Sequence, residues 1–204
     1  QISMSDFWNE RYSTDTYIFG TAPNVFLASQ VALIRPGMRA LAIADGEGRN
    51  GVWLAEHGAQ VHAIDVSPIA LEKARKLAAE RGVTMEIEQA DVLNWTWPEA
   101  AYDLVAAIFI QFVPSPERDR IIAGIRRTLR PGGVLILQGY TPKQIEYGTG
   151  GPPNAANLYT AELLREWFAG WDILHLAEHE SFISEGNHHH GMSALIDLVA
   201  CKPA

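Results

Sequence analysis

From Arg39 almost to the end of the chain, apolar runs of strand length alternate with longer segments of helical period. Arg39–Ala44 is short and apolar, and Gly46, Gly48 and Gly51 punctuate the chain just behind it. Asn50–His57 reads as a helix closed by Gly58, and Gln60–Asp65 as a strand. Ser67-Pro68 offers an N-cap followed by proline at the first helical position, opening a helix that Gly82 ends. Leu71, Ala74, Leu77 and Ala78 form the apolar stripe of that helix. Thr84–Gln89 alternates as a strand, and Tyr102–Ile110 is a continuous buried run. Ser115-Pro116 repeats the cap-and-proline signal for a helix running to Leu129. Pro131-Gly132-Gly133 reads as a turn before the strand Val134–Tyr140. Thr141–Asn157 holds three prolines and three glycines and reads as a long surface loop, a lid or acceptor loop. A helix capped at Thr160 follows, then the apolar stretches Trp171–Ala177 and Ala194–Cys201.

Strands that alternate with helices need crossover connections, hence a mostly parallel sheet covered on both faces. The expected class is therefore α/β, a Rossmann-like three-layer sandwich whose ligand lies outside the carboxyl ends of the strands. No linker or repeat divides the chain, so one domain over 1–204 is expected, with 1–35 as an N-terminal flap and helix. Met4 reads as a natural start, with Gln1–Ser3 left ahead of it by cloning or processing.

Composition narrows the partner. The 24 acidic residues outnumber the 16 basic ones and give a net charge of -8, a sign that repels phosphate backbones, so no nucleic acid is expected. No apolar run reaches the length of a membrane span. Cys201 is the only cysteine, which excludes an intrachain disulfide and suits a reducing cytosol, so a cytoplasmic location is expected.

Gly46-Glu47-Gly48-Arg49-Asn50-Gly51 follows a strand and opens a helix. Glycine at such a turn admits unusual dihedrals and a close ligand, and the helix start behind it favours a negative group. Asp65 ends the next strand, where a carboxylate accepts hydrogen bonds from both hydroxyls of a ribose. Asp91 and Val92 follow the third strand, within reach of an adenine amino group. Each has a plainer reading: Asp65 as a cap ahead of Ser67, Asp91 as a turn residue. The spacing fits a nicotinamide dinucleotide as well, which leaves an NAD(P)-binding oxidoreductase as the alternative. A hydride-transfer enzyme of this size should show a tyrosine followed four residues later by lysine, and Tyr140 with Lys143 has the wrong spacing.

Leu129–Leu137, with Tyr159-Thr160-Ala161-Glu162-Leu163-Leu164 downstream, resembles the fifth strand and following helix of class I methyltransferases. The resemblance runs from about Pro36 to the C-terminus and implies seven strands, the last, Ala194–Cys201, antiparallel and inserted beside the fifth. Trp8–Tyr12, Gly46–Asn50 and Glu185–Gly191 resemble the branch that holds tellurite-resistance and thiopurine S-methyltransferase-like enzymes. The resemblance implies S-adenosylmethionine as cofactor, with Trp8, Tyr17, Ala44, Gly46, Glu47, Gly48, Asn50, Asp65, Val66, Asp91, Val92, Ile108 and Gln111 around it. One departure stands out. The acid that usually begins the class I turn is replaced by Ala42, the first glycine by Ala44, and Asp45 sits where cysteine or alanine is common. The methionine end must then be held by other groups, with Glu47, the Gly46 and Gly48 amides and the N-terminal segment as candidates. That missing acid keeps open a non-catalytic cofactor-binding module of the same fold.

A thiolate acceptor needs no base, whereas oxygen or nitrogen acceptors call on one, and histidine is best poised near neutral pH. His188-His189-His190 is read three ways: a solvated loop, an acceptor contact or general base led by His189 with His190 next, and a metal ligand set. No metal is assigned. Phe7, Trp8, Tyr12, Tyr17 and Phe19 read either as packing of a flap or as a lid with Trp8 and Tyr17 facing the site. Tyr140 and Tyr147 are candidates for the acceptor pocket. The expected partner is a small-molecule methyl acceptor.

Overall fold

The computed structural model describes residues 3–204; Gln1 and Ile2, part of the expected flap, lie outside them. Seven strands form one sheet: β1 Arg39–Ile43, β2 Gln60–Asp65, β3 Glu86–Gln89, β4 Tyr102–Ile108, β5 Leu129–Tyr140, β6 Asp172–Ser184 and β7 His190–Cys201, in the order β3-β2-β1-β4-β5-β7-β6. β1 to β5 pair in parallel, whereas β7 is antiparallel to both β5 and β6. The expected class and the reversed last strand beside the fifth are both present.

Period-2 alternation divides the core. Leu41, Ile43, Ile64, Val105 and Leu135 pack on one face with Ile121, Ile122 and Ile125 of α5 (Glu117–Thr128) and Leu164 of α7 (Ala161–Trp167). Ala40, Ala42, Ala63, Leu104 and Ile136 pack on the other with Leu54 of α3 (Arg49–Glu56) and Phe26 and Leu27 of α2 (Val25–Ser29). α1 (Met4–Tyr12) lies against α4 (Pro68–Glu80), and α6 is a single turn, Gln144–Tyr147. Among the described residues no helix is long and apolar enough to cross a membrane.

Local chemistry explains where the boundaries fall. Ser67 caps α4 by accepting from the Ala70 amide, with Pro68 at the first turn, as expected. Ser115 does not cap α5. Its hydroxyl donates to Asp119 instead, and the helix begins after Pro116 with no side-chain cap. The Pro131-Gly132-Gly133 segment is not a turn between elements. It runs inside β5, where the register against β4 shifts and the Gly132 amide bonds to the Lys202 carbonyl. The last two strands are longer than their apolar stretches, because Ser181–Ser184 and His190–Ser193 pair beyond the sheet as a two-stranded arm. Within 141–157, the expected loop contains α6 and a turn of 3-10 helix, Ala155–Asn157.

Candidate active site

The strand order reverses between β1 and β4, and the carboxyl ends of parallel strands there open a crevice. A cavity of about 600 Å³ occupies it. Its floor is the turn after β1. Ala44, in the place usually held by the motif's first glycine, takes a left-handed backbone with φ 49°, and Gly46 follows at φ 56°. A Cβ on Gly46 would meet the Tyr12 hydroxyl at 2.5 Å, so only glycine lets Tyr12 lie over the turn.

Asp65 and Asp91 form one wall. The Asp65 carboxylate accepts from the Gly46 amide at 3.0 Å and the Ser67 amide at 3.0 Å, one bond to each oxygen. Each oxygen keeps a second acceptor position, so capping and ligand binding are compatible roles. Burial raises the Asp65 pKa to about 6 despite those amides, and raises Asp45, which accepts from the Gly51 amide, to about 7. Asp91 caps its own turn through Leu93 and Asn94. Val66, Val92 and Ile108 add an apolar slot beside these carboxylates.

The roof comes from three distant segments. α1 is fastened over the crevice by Ser5 on the Val66 carbonyl and by the Ser67 hydroxyl donating to Asn9. Trp8 stacks on Tyr12 and meets Phe112 edge-on across the opening. The tip between β6 and β7 closes the far end: the amides of Asn187 and His188 reach the Ile18 carbonyl, and Gly186 passes so close that a Cβ would meet that oxygen at 2.2 Å. Gly151, Pro152, Pro153 and Asn157 of the 141–157 segment line the cavity as well.

His189 sits in this end wall between two rings, stacked on Phe19 at 4.6 Å and on Phe109 at 4.5 Å, and its Nδ1 bonds to the Tyr140 hydroxyl. Burial, with Arg49 adding repulsion, lowers its pKa to about 3, so the ring is neutral. Phe109 holds its place at φ 54°, a left-handed conformation that costs a bulky residue on the order of 1–3 kcal/mol.

Of the expected residues, Trp8, Ala44, Gly46, Asn50, Asp65, Val66, Asp91, Val92, Ile108, Gln111 and His189 come together around the cavity. Four do not line it. Glu47 is buried, accepts from the Ile18 amide and pairs with Lys73 at 2.8 Å, so it tethers the N-terminal segment and is no free ligand for an ammonium group. Tyr17 donates to the Lys73 carbonyl outside the cavity. Gly48 is left-handed at φ 94°, and a Cβ there would strike Ala74 at 2.8 Å, so it serves helix packing. His190 starts β7, is exposed, and meets Phe182. Tyr147 is half-buried and bonds to Glu180 away from the cavity, whereas Tyr140 lines it. Gln111 spends its amide on Tyr140 and Asn157 and shapes the wall.

Tyr12, Arg49, Phe109 and Glu185 were not among the expected residues. Arg49 pairs with Glu185 at 2.6 Å, both buried, and Asn24 bridges from Glu185 to Gln138. The Asn50 side chain accepts from the Asn24 amide. The Arg-Asn pair after the glycine turn thus ties it to the arm and the N-terminal segment. The chemical character of Arg49 and Glu185 was visible in the sequence, but their pairing across 136 positions was not.

Residues 40–133 match the family model described as a methyltransferase domain. This segment is similar to a methyltransferase domain over just under half of the chain, and the chain shares its fold with solved S-adenosylmethionine-dependent methyltransferase structures. A demethylmenaquinone methyltransferase of Thermus thermophilus is 32% identical over 117 residues, covering 56% of this chain and 53% of that protein. The chain spans about half or less of the length of such curated relatives. Among solved structures, one described as converting a disulfide bond into a thioacetal group during echinomycin biosynthesis superposes with a TM-score of 0.80, at 20% identity over 98% of this chain and 93% of that one. TehB from Haemophilus influenzae superposes with a TM-score of 0.71, at 15% identity over 97% and 66%.

The residues present fit S-adenosylmethionine, the cofactor this match supports. The turn admits close backbone approach at Gly46, Asp65 retains acceptor positions suited to ribose hydroxyls, and Val66, Val92 and Ile108 suit an adenine face with Asp91 at its edge.

Proposed function

We propose that this chain is a single methyltransferase domain that transfers a methyl group from S-adenosylmethionine to a small anionic acceptor, a thiolate or a metalloid oxyanion. The observation that carries it is the two-ended cavity, with carboxylates and the glycine turn at one end and an aromatic wall around neutral His189 at the other. Bound S-adenosylmethionine supplies a methyl group already activated on a sulfonium, so positioning by the protein carries much of the acceleration.

The His189 ring supports an anionic acceptor rather than a general base. Burial holds the Tyr140 hydroxyl in its neutral form, and we read it as the donor to Nδ1, which places the single ring proton on Nε2. Nε2 makes no hydrogen bond among the described residues, which leaves an N–H donor for an incoming anion. A ring with its pKa near 3 is also a poor proton acceptor at neutral pH. Arg11, on the cavity wall over Phe7 and Trp8, adds positive charge near the same mouth. The N-terminal aromatic roof excludes water from the reacting groups. A small acceptor agrees with the demethylmenaquinone relative, and the net charge of -8 disfavours nucleic acid.

Calorimetry with S-adenosylmethionine and with NAD(H), followed by turnover on a panel of thiols, selenite, tellurite, amines and phenols, tests the reading. Tight NAD binding with no response to S-adenosylmethionine overturns it. Cofactor binding without turnover on any acceptor would establish the binding-module alternative, which the replacement of the usual acid by Ala42 keeps in view.

A further inference from the structure

On the far side of β2 from Asp65, a second group of side chains converges. His62 on β2 and Glu86 and Glu88 on β3 share one face, because the register pairs His62 with Glu86 and Ile64 with Glu88. His62 Nε2 lies 2.9 Å from a Glu88 oxygen and 3.8 Å from a Glu86 oxygen, and one ligand atom from each residue lies within 4.8 Å of the others. We propose that these three residues form a binding site for a divalent transition ion of the zinc class, separate from the methyl-transfer cavity.

Geometry and surroundings both favour it. Tetrahedral zinc with bonds of about 2.0–2.2 Å sets its ligand atoms about 3.3–3.6 Å apart, between the two distances found here. Small shifts of two partly exposed glutamates complete the set, and water has access to the remaining position. The ligands are also held from behind. Tyr102 Oη lies 2.6 Å from His62 Nδ1, and the Trp95 indole N–H donates to the second Glu88 oxygen at 3.0 Å. Outer partners of that kind orient metal-binding histidines and carboxylates. With Nε2 on a metal, Nδ1 carries the ring proton and donates to the Tyr102 oxygen. One imidazole and two carboxylates suit zinc, cobalt or nickel, whereas magnesium seeks an octahedron of oxygens. An ion here would clamp β3, the short outermost strand, to β2.

The test is a titration of the full chain, stripped with chelator, with zinc chloride. A His188→Ala/His190→Ala background removes the other histidine cluster. One saturable equivalent is expected, with affinity at least tenfold weaker in Glu88→Gln and in Glu86→Gln, whose exposed side chains make misfolding no confounder. Zinc should raise Tm in the parent and not in Glu88→Gln. Cobalt or copper should quench a fluorescence component that Trp95→Phe removes. Absence of saturable binding, or affinities within twofold of the parent in both glutamine variants, overturns the proposal and leaves His62–Glu88 as a hydrogen bond only. Equal competition by magnesium overturns the assigned class of ion.

Discussion

Asp45 is the residue whose removal should make this protein more stable. Its carboxyl is buried in the glycine turn with the Gly51 amide as its hydrogen-bond donor, and burial raises its pKa from 3.8 to about 7. The folded carboxyl therefore keeps its proton to higher pH than the unfolded one. Between about pH 4 and 7 the native state binds more protons, so stability falls as pH rises through that window. The shift is about 3 units, and at about 1.4 kcal/mol per unit the ionised carboxylate costs up to about 4 kcal/mol above pH 7. Asp45→Asn keeps an acceptor for the Gly51 amide and removes this cost. Its gain should approach that figure at pH 8, roughly 10 °C in Tm at the upper limit, and fade by pH 4. Thermal unfolding of both proteins from pH 4 to 8, without cofactor, measures it. Equal stability at pH 8, or a gain independent of pH, refutes the reasoning.

Three substitutions probe the rest of the site. Gly46→Ala forces a left-handed alanine and a clash with the Tyr12 hydroxyl; it should cost on the order of 1–3 kcal/mol and weaken S-adenosylmethionine binding, read by urea unfolding and calorimetry. Glu185→Gln leaves Arg49 buried without its partner charge and should cost about 3–5 kcal/mol in the same unfolding assay. Tyr140→Phe removes the donor to His189 and frees the ring to change tautomer; acceptor KM should rise while the Kd for S-adenosylmethionine stays within twofold, and equal effects on both would place Tyr140 in the cofactor end.

The parts of the site that rest on local chemistry were legible, and those that rest on distant contacts were not. Gly46, Asp65 and Asp91 follow strands whose apolar runs were clear, so their place at the strand ends could be read directly. Ser67-Pro68 capped a helix as its residues implied, yet Ser115-Pro116, the same signal, did not: α5 starts at Glu117 with Pro116 itself at the cap position, and the serine hydroxyl donates to Asp119. Glu47 is the instructive miss. A carboxylate inside the glycine motif suggests a ligand, but Lys73 and the Ile18 amide, 26 and 29 positions away, consume it. The arm from Ser181 to Ser193 was invisible for a related reason. Its inward positions are buried in alternation, but apart from Ile183 they are the polar Glu185, His189 and Ser193, so the burial leaves no apolar period in the sequence.

Charge separates the two cofactors that the glycine spacing alone allowed. A dinucleotide brings an anionic pyrophosphate, which the helix start would favour, whereas S-adenosylmethionine brings a sulfonium and an ammonium group. At this turn the cation, Arg49, is already matched by Glu185, and Lys73 is matched by Glu47. Asp45 and Asp65 remain without a cationic partner, each raised by burial and by repulsion from a neighbouring carboxylate. A cationic ligand relieves that stress and an anionic one adds to it. Binding should therefore depend on pH in a defined direction. With Asp65 titrating near 6, lowering the pH from 7.5 to 5 protonates most of it, and affinity for S-adenosylmethionine should fall about tenfold. Asp65→Asn should bind weakly at both values and keep only the part of the dependence that Asp45 contributes. Calorimetry at the two pH values decides it: affinity that holds constant, or that rises on acidification, would mean that the turn's carboxylates do not recognise a cation.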